Sequence, residues 1–368
     1  MKKNILKNIE WSVVICVFML VSIGCIEIYS VTGSSNYTDL IKQLIWFAIS
    51  IPIVFIIVSI DYHIIGRASK ILYIIMIPLL IGVLFTKSIN GATSWYNIGP
   101  ISLQPSEFAK ICVILSLSSV IVKIQRDNKN KINSPLQLIK ILVVVIIPIG
   151  LIIKQPDYGT AMAFFLATAL ILIVAGLDKK YMISALLCVL IAVPLLYFFV
   201  LPNHAKTRID VFLNPNLDPR GSGYNVLQSK LAIGSGKIFG MGIKNGSQTQ
   251  LGYLYPQTTD FIYSAIGEEM GFVVAGLVIV LYVFLITKAI KIAKTASDDL
   301  GSYIASGIAG IFIFHMVENI GMTMGLLPIT GVPLPFVSYG GSSLMTNCIL
   351  IALLLNISGR RNKVMFAE

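Results

Sequence analysis

Residues 260–287 read DFIYSAIGEEMGFVVAGLVIVLYVFLIT, and this stretch decides the fold. It opens on Asp260 and continues as an apolar run long enough to cross a bilayer core of roughly 30 Å. Residues 203–259, immediately before it, form the longest polar stretch of the chain. A carboxylate at the mouth of a membrane helix is costly unless it is used, so Asp260 is the first candidate for a catalytic residue.

Apolar runs of similar length recur along the whole chain. Of its 368 residues, 56% are hydrophobic and 12% are charged, whereas a soluble domain carries about twice that charged share. We therefore predict an all-α polytopic membrane protein, one domain over residues 1–368, with a long extracellular loop (203–259) between its seventh and eighth spans. The ten predicted spans are 11–30, 40–60, 71–86, 105–122, 140–153, 158–177, 181–201, 260–287, 302–325 and 342–358.

The distribution of basic residues orients these spans. With the N-terminus inside, 18 of the 28 Lys and Arg residues lie in cytoplasmic segments, among them the basic stretch 123–135, interpreted as a solvated loop. Both termini are then cytoplasmic, and Asp260 faces outward. Topology thus accounts for the net charge of +11 without a nucleic-acid partner. The five cysteines all lie in apolar runs and no pair has ligand spacing, so no metal site is expected.

Polar clusters on the outer side are the candidate substrate contacts. Pro105 suits a first helical position, Glu107 suits the first turn, and Lys110 lies on the same helix face three residues later. A helix cap with an internal ion pair and a substrate role are equally compatible with this pattern. Asp157 is first interpreted as a cap of the sixth span, together with Thr160.

Two further segments complete the predicted outer face. The long loop is dense in glycine and interleaved with basic residues, which suits a pyrophosphate or a sugar, although a flexible connector has the same composition. Residues 328–337, here called the proline loop, carry three prolines and cannot continue a helix. Non-helical backbone at that depth must be buried in protein or face water, so this loop is expected to form one wall of an outer cavity.

Ionisable residues also lie within the spans. Glu268 and Glu269 follow Asp260 in the eighth span, and Glu318 lies with Asn319 in the ninth. Pairing with basic or hydroxyl neighbours and a proton path are both open interpretations. His315 is interpreted as packed core.

Several long motifs, in order, resemble the SEDS family, the shape, elongation, division and sporulation proteins. The resemblance runs from about residue 80 to the C-terminus, and 245–255 and 321–328 are more similar to its elongation branch than to its division branch. The matching stretches are NGATSWYNIGPISLQPSEFAK (90–110), QPDYGTA (155–161), FLNPNLDPRGSGYNVLQSKLAIGSGKIFGMG (212–242), TDFIYSAIGEEMGF (259–272) and GMTMGLLPITGVPLPFVSYGGSS (321–343).

The resemblance implies a peptidoglycan glycosyltransferase of the bacterial cytoplasmic membrane that polymerises lipid II. Asp260 matches the acidic residue regarded as essential, and Glu107 with Lys110 matches a paired acid and base of the outer cavity. Asp157, Arg208 and Ser338 lie in other signature stretches. Family members commonly have a Pro-Glu-x-His-like stretch before Thr-Asp-Phe, where this chain has Tyr255-Pro256-Gln257-Thr258. This stretch has neither Glu nor His, so Asp260 is its sole acidic group.

The mechanism expected from the resemblance is inverting, with Asp260 as general base. Lys230, Lys237 and Arg208, or a divalent cation, would neutralise the leaving pyrophosphate. No other cofactor is indicated. The implied partners are lipid II, membrane lipid and a single-span class B penicillin-binding protein, which supplies transpeptidation. A lipid II transporter and a non-catalytic scaffold of a cell-wall complex remain the alternatives.

Overall fold

The computed structural model describes residues 9–32, 37–87, 93–99 and 101–361. Outside these ranges lie the N-terminal lysines Lys2, Lys3 and Lys7, the first three residues (90–92) of the motif 90–110, and Lys363. The helices are α1 (Trp11–Val31), α2 (Thr38–Ser59), α3 (Tyr62–Gly82), α4 (Pro105–Gln125), α5 (Pro135–Lys154), α6 (Tyr158–Val174), α7 (Lys179–Leu195), α8 (Asn203–Leu213), α9 (Ser222–Ser235), α10 (Ser247–Gln250), α11 (Ile262–Glu269), α12 (Gly271–Thr295), α13 (Asp299–Thr323) and α14 (Gly341–Arg360).

The helices form a polytopic bundle, as predicted. Over the described ranges, eight helices are long and apolar enough to cross a membrane, namely α1, α2, α3, α5, α7, α12, α13 and α14. The remaining two predicted spans coincide with α4 and with the shorter apolar helix α6. α13 and α14 lie mostly inside the bundle, whereas the apolar face of α7 is exposed.

The third predicted span begins nine residues too late. α3 starts at Tyr62, because the Asp61 carboxylate caps it by accepting a hydrogen bond from the backbone N–H of His63 (2.9 Å). Arg67 and Lys70 interrupt the apolar pattern of this first part of the helix, which explains the error.

The eighth predicted span is not one continuous helix. α11 ends at Glu269, and α12 begins at Gly271, which has a positive φ of 77°. A Cβ atom at Gly271 would lie 2.2 Å from the backbone nitrogen of Gly240. The break therefore depends on glycine and on the close approach of the segment that follows α9.

The long polar segment, predicted as the loop between the seventh and eighth spans, is partly helical. It contains α8, α9 and α10. The Ser229 hydroxyl of α9 donates to the carbonyl of Thr323 (2.6 Å) and lies 2.6 Å from the hydroxyl of Ser264 in α11. α9 is thus fixed between α11 and the end of α13. A short antiparallel hairpin, β1 (Tyr96–Ile98) and β2 (Ile101–Leu103), precedes α4 and was not predicted.

Candidate active site

Asp260 lies in the turn before α11, where its side chain is partly exposed. The Asn319 amide of α13 donates to the backbone carbonyl of Asp260 (3.0 Å) and to that of Val332 (2.8 Å). The Asp260 carboxylate faces the proline loop, because a Cβ atom at Gly331 would lie 3.4 Å from its Oδ2. The buried Asn319 amide thus holds the Asp260 turn against the proline loop.

Ser338 holds the same turn from the other side. Its hydroxyl donates to the carbonyl of Thr259 (2.7 Å) and accepts a hydrogen bond from the backbone N–H of Leu334 (2.8 Å). The Tyr339 N–H donates to the carbonyl of Thr258 (2.9 Å). The buried Ser338 hydroxyl thus positions Asp260 in this structure, and its role in holding substrate stays a prediction.

Arg208 brings a positive charge to this site from α8. Its guanidinium donates to the carbonyls of Ile329 (3.5 Å) and Thr330 (3.4 Å), both long hydrogen bonds. Burial raises the pKa of Asp260, while a hydrogen bond from Thr259 and the charge of Arg208 act in the opposite direction. The site therefore contains a carboxylate of increased basicity and a cation hydrogen-bonded to neutral carbonyls.

Asp157 lies behind the proline loop as the cap of α6. It accepts hydrogen bonds from the backbone N–H of Thr160 (3.1 Å), the Gln104 amide (3.0 Å) and the Ser106 hydroxyl (3.2 Å). The capping interpretation describes this geometry. In the first turn of α6, a Cβ atom at Gly159 would lie 2.2 Å from the side chain of Val332. The start of α6 therefore packs directly on the proline loop.

Glu107 and Lys110 form a completely buried ion pair (2.9 Å) in the first turns of α4, as their spacing predicts. The Lys110 ammonium also lies 3.2 Å from Nε2 of His315, whose Nδ1 lies 2.9 Å from the carbonyl of Pro333. Since a carbonyl only accepts, Nδ1 carries the ring proton and Nε2 accepts from Lys110. His315 is therefore more than packed core, because it links the ion pair to the proline loop.

The two lysines predicted to bind pyrophosphate, Lys230 and Lys237, lie in different parts of the structure. Lys230 in α9 lies close to Gly325 and lines a small cavity together with Arg208. Lys237 follows α9, and its backbone carbonyl accepts a hydrogen bond from the N–H of Phe272 in the first turn of α12, beyond the end of α11 that is farther from Asp260. The structure thus brings Asp260, Arg208 and Lys230 to one side of the proline loop and leaves Lys237 away from them.

Comparison with known proteins identifies the family. The family model FTSW_RODA_SPOVE, described as "Cell cycle protein", matches residues 4–363. The chain belongs to this family. It is the SEDS family that the sequence motifs resemble.

Its relatives match over most of their length. The chain is 31% identical to "Peptidoglycan glycosyltransferase RodA" of Treponema pallidum (strain Nichols), covering 96% of this chain and 98% of that protein. It is 37% identical to "Peptidoglycan glycosyltransferase MrdB" of Escherichia coli (strain K12), covering 79% and 77%. A chain in "Structural coordination of polymerization and crosslinking by a peptidoglycan synthase complex" superposes with a TM-score of 0.81 at 25% identity, covering 95% and 97%.

In this family member, Glu268 holds the polar segment onto α11. Its carboxylate accepts hydrogen bonds from the backbone N–H groups of Gln248 (2.8 Å) and Thr249 (2.9 Å) and from the hydroxyl of Ser247 (3.2 Å). These are the free N–H groups at the start of α10, where a carboxylate is favourable.

The neighbouring carboxylate acts in the same way. Glu269 accepts hydrogen bonds from the Gln250 amide (2.8 Å), the Thr249 hydroxyl (3.0 Å) and the Lys244 backbone N–H (3.2 Å), and from the Ser30 hydroxyl. The sequence left open whether Glu268 and Glu269 pair with neighbouring donors or form a proton path. In the structure both carboxylates pair with neighbouring donors. No metal-binding group of three or more His, Cys, Asp or Glu side chains is found within the ranges that the structure describes.

We expect Glu268→Gln to loosen residues 244–250 without unfolding the bundle. An amide keeps the shape of the side chain but replaces one accepting oxygen by a donor, which then faces a backbone N–H. Hydrogen exchange measured by mass spectrometry should become faster in this segment and stay unchanged in α13. Asp127→Asn, an exposed change at the other end of the bundle, should leave both regions as in the wild type. Unchanged exchange at 244–250 in Glu268→Gln would contradict the assignment.

Proposed function

We propose that this chain polymerises lipid II into glycan strands at the outer face of the bacterial cytoplasmic membrane, during cell-wall elongation. Its family membership and relatives named as peptidoglycan glycosyltransferases support the activity. The observation that carries the proposal is Asp260, held by Asn319 against the proline loop with Arg208 beside it. A base and a cation at one point suit a reaction that removes a proton and releases an anion.

The reaction that we propose for these residues is the glycosyl transfer implied by the family. Asp260 accepts the proton of the acceptor GlcNAc 4-hydroxyl, and that oxygen attacks the anomeric carbon of the donor MurNAc. The new C–O bond forms as the bond to the lipid pyrophosphate breaks, with inversion at carbon. Because pyrophosphate leaves as an anion, it needs charge neutralisation more than protonation. In this proposal Arg208 and Lys230 supply it.

Lys237 is the weaker candidate among the predicted cations, because it lies at the other end of α11. Glu107, Lys110 and Asp157 form a second group of predicted substrate contacts. Their polar atoms are bonded within the protein, so we assign them to positioning the proline loop rather than to direct contact with sugar.

The rate of polymerisation should rise with pH and then level off. A general base works as the carboxylate, and burial raises the pKa of Asp260 above that of an exposed Asp, about 3.9. Activity should therefore be lost as pH falls through this raised pKa, at a higher pH than an exposed carboxylate would give. Initial rates across about pH 4 to 8 measure this profile, with folding checked at each pH. A rate that increases steadily toward acid pH would contradict a base at this position.

The direct test is glycan synthesis by the purified protein. Labelled lipid II is incubated with the full chain, alone and with a class B penicillin-binding protein, and the products are separated by gel electrophoresis. A ladder of glycan polymer is the expected result. Lipid II that stays monomeric under both conditions, with a polymerising relative active in parallel, would refute the proposal.

The partner and the orientation belong to the same proposal. The solved relative comes from what is described as a peptidoglycan synthase complex that coordinates polymerization and crosslinking, which supports a single-span transpeptidase as the partner here. We place both termini in the cytoplasm, because the basic residues concentrate on that side. Residues 1–368 act as one domain in this proposal. Transport of lipid II has less support as a function. Glu268 and Glu269, the residues that suggested it, instead hold the polar segment 244–250 by hydrogen bonds.

A further inference from the structure

A large cavity lies at the end of the bundle opposite Asp260. It has a volume of about 1330 Å³ and is lined by the first part of α3, the last part of α4, the segment after α4, and the start of α13. Asp299 and Leu300 of α13 line it, whereas Asn319 of the same helix holds the Asp260 turn. At the usual helical rise this separation is roughly 30 Å. The cavity is therefore separate from the proposed active site.

Four cations of the cavity wall have no ion-pair partner among the residues that the structure describes. They are Arg67 and Lys70 of α3, Lys123 of α4, and Arg126, which follows α4. All four are exposed. Like charges collected around one concavity repel each other, so an anion that enters it is favoured by all four.

The carboxylates of the same wall do not neutralise these cations. Asp127 forms an ion pair with Lys131 (2.6 Å), and Asp299 forms one with Lys129 (3.1 Å). Asp61 lies 2.7 Å from the ring of His63, and hydrogen bonds from that residue lower its pKa against the effect of burial. Each acidic group is thus already engaged with another partner.

One side of the wall is apolar and reaches the outside of the bundle. Ile64 is 53% exposed and lies at the outer surface of α3, and Val120 and Val144 contribute from α4 and α5. The Tyr73 hydroxyl closes this side by donating to the carbonyl of Val144 (3.0 Å). A basic rim next to an apolar wall that faces the lipid matches an anionic headgroup with acyl chains.

We propose that this cavity binds an anionic phospholipid, with its phosphate at the four free cations and its chains along the apolar wall. The orientation proposed above places the cavity at the cytoplasmic leaflet. If these cations served only to set the orientation of the protein in the membrane, any position on the cytoplasmic side would suffice. Lys291 and Lys294 at the end of α12 are exposed cations that do not line the cavity, and they provide the comparison.

The experiment compares two variants that lose the same charge. Lys70→Gln/Lys123→Gln removes two cations of the cavity, and Lys291→Gln/Lys294→Gln removes two elsewhere. Binding of phosphatidylglycerol to the purified full chain is measured by native mass spectrometry and titration, with phosphatidylcholine as the neutral lipid. We expect the cavity variant to bind phosphatidylglycerol about tenfold more weakly or worse, in a salt-dependent manner, and the comparison variant to bind it as the wild type does.

Three outcomes would overturn the proposal. Wild-type affinity in the cavity variant, or an equal loss in both variants, would mean that the cavity does not recognise the lipid. Displacement of the lipid by an equal concentration of inorganic phosphate would mean that the site takes a free anion instead. Thermal unfolding of both variants verifies that the exchanged side chains, all exposed, leave the fold intact.

Discussion

Asp260→Asn protein is expected to form no detectable glycan polymer from lipid II. Asparagine keeps the size and shape of the side chain but cannot accept the acceptor proton. Loss of a positioned general base typically costs roughly 10²–10⁴-fold in rate, and residues 255–259 contain no Asp, Glu or His that could take over. Because Asn319 bonds the backbone carbonyl of residue 260, the turn should keep its position in the variant.

Two further variants separate chemistry from structure. Asp260→Glu retains a carboxylate displaced by one methylene, so it should keep a small part of the activity. Asp178→Asn alters an exposed carboxylate on the opposite side of the bundle and should polymerise as the wild type does. Polymerisation by Asp260→Asn at the wild-type rate would remove Asp260 from the mechanism. Initial rates from the gel assay, at equal amounts of folded protein, decide between these results.

The apolar runs of the sequence were sufficient to predict most of the bundle. Each long run became helical, because a membrane span must satisfy its backbone hydrogen bonds within itself, although the eighth is divided at Gly271 into α11 and α12. The other errors occur where this constraint is absent. α3 begins early through a cap and basic residues, and α9 lies in a segment without a long apolar run. α9 is held by contacts with α11 and α13 that are distant in sequence, so local composition could not reveal it.

The sequence predicted those site residues whose charge interrupts an apolar run. It did not predict the roles of the neutral side chains that hold the site in place. Asp260, Arg208 and the Glu107–Lys110 pair were all visible as charges. Neither Asn319, noted only beside Glu318, nor His315, interpreted as packed core, was assigned to the site, although both bond backbone carbonyls of the proline loop. The position of Asn319 inside the ninth span could have indicated its role, since a buried amide requires hydrogen-bond partners.

Lys110→Met should destabilise the protein more than any exposed change. It leaves the Glu107 carboxylate buried without its cation and leaves Nε2 of His315 without a donor. Removing one partner of a buried pair typically costs roughly 3–5 kcal/mol. The midpoint of thermal unfolding in detergent should therefore fall clearly. Polymerisation should fall with it, because a His315 ring that has lost its bond from Lys110 would hold the carbonyl of Pro333 less firmly.

The double variant Glu107→Gln/Lys110→Met tests whether the unpaired charge is the cause. With neither charge present, the unfolding midpoint should recover a large part of the loss, since neutral side chains of similar size do not carry the desolvation cost of an ion. The exposed pair Asp127–Lys131 has the same kind of partners one turn apart, and Lys131→Met should leave the midpoint unchanged. If the double variant were less stable than Lys110→Met, packing rather than charge would dominate at this position. Activity that stays low after stability returns would show that the hydrogen bond from Lys110 to His315 is needed to position the proline loop.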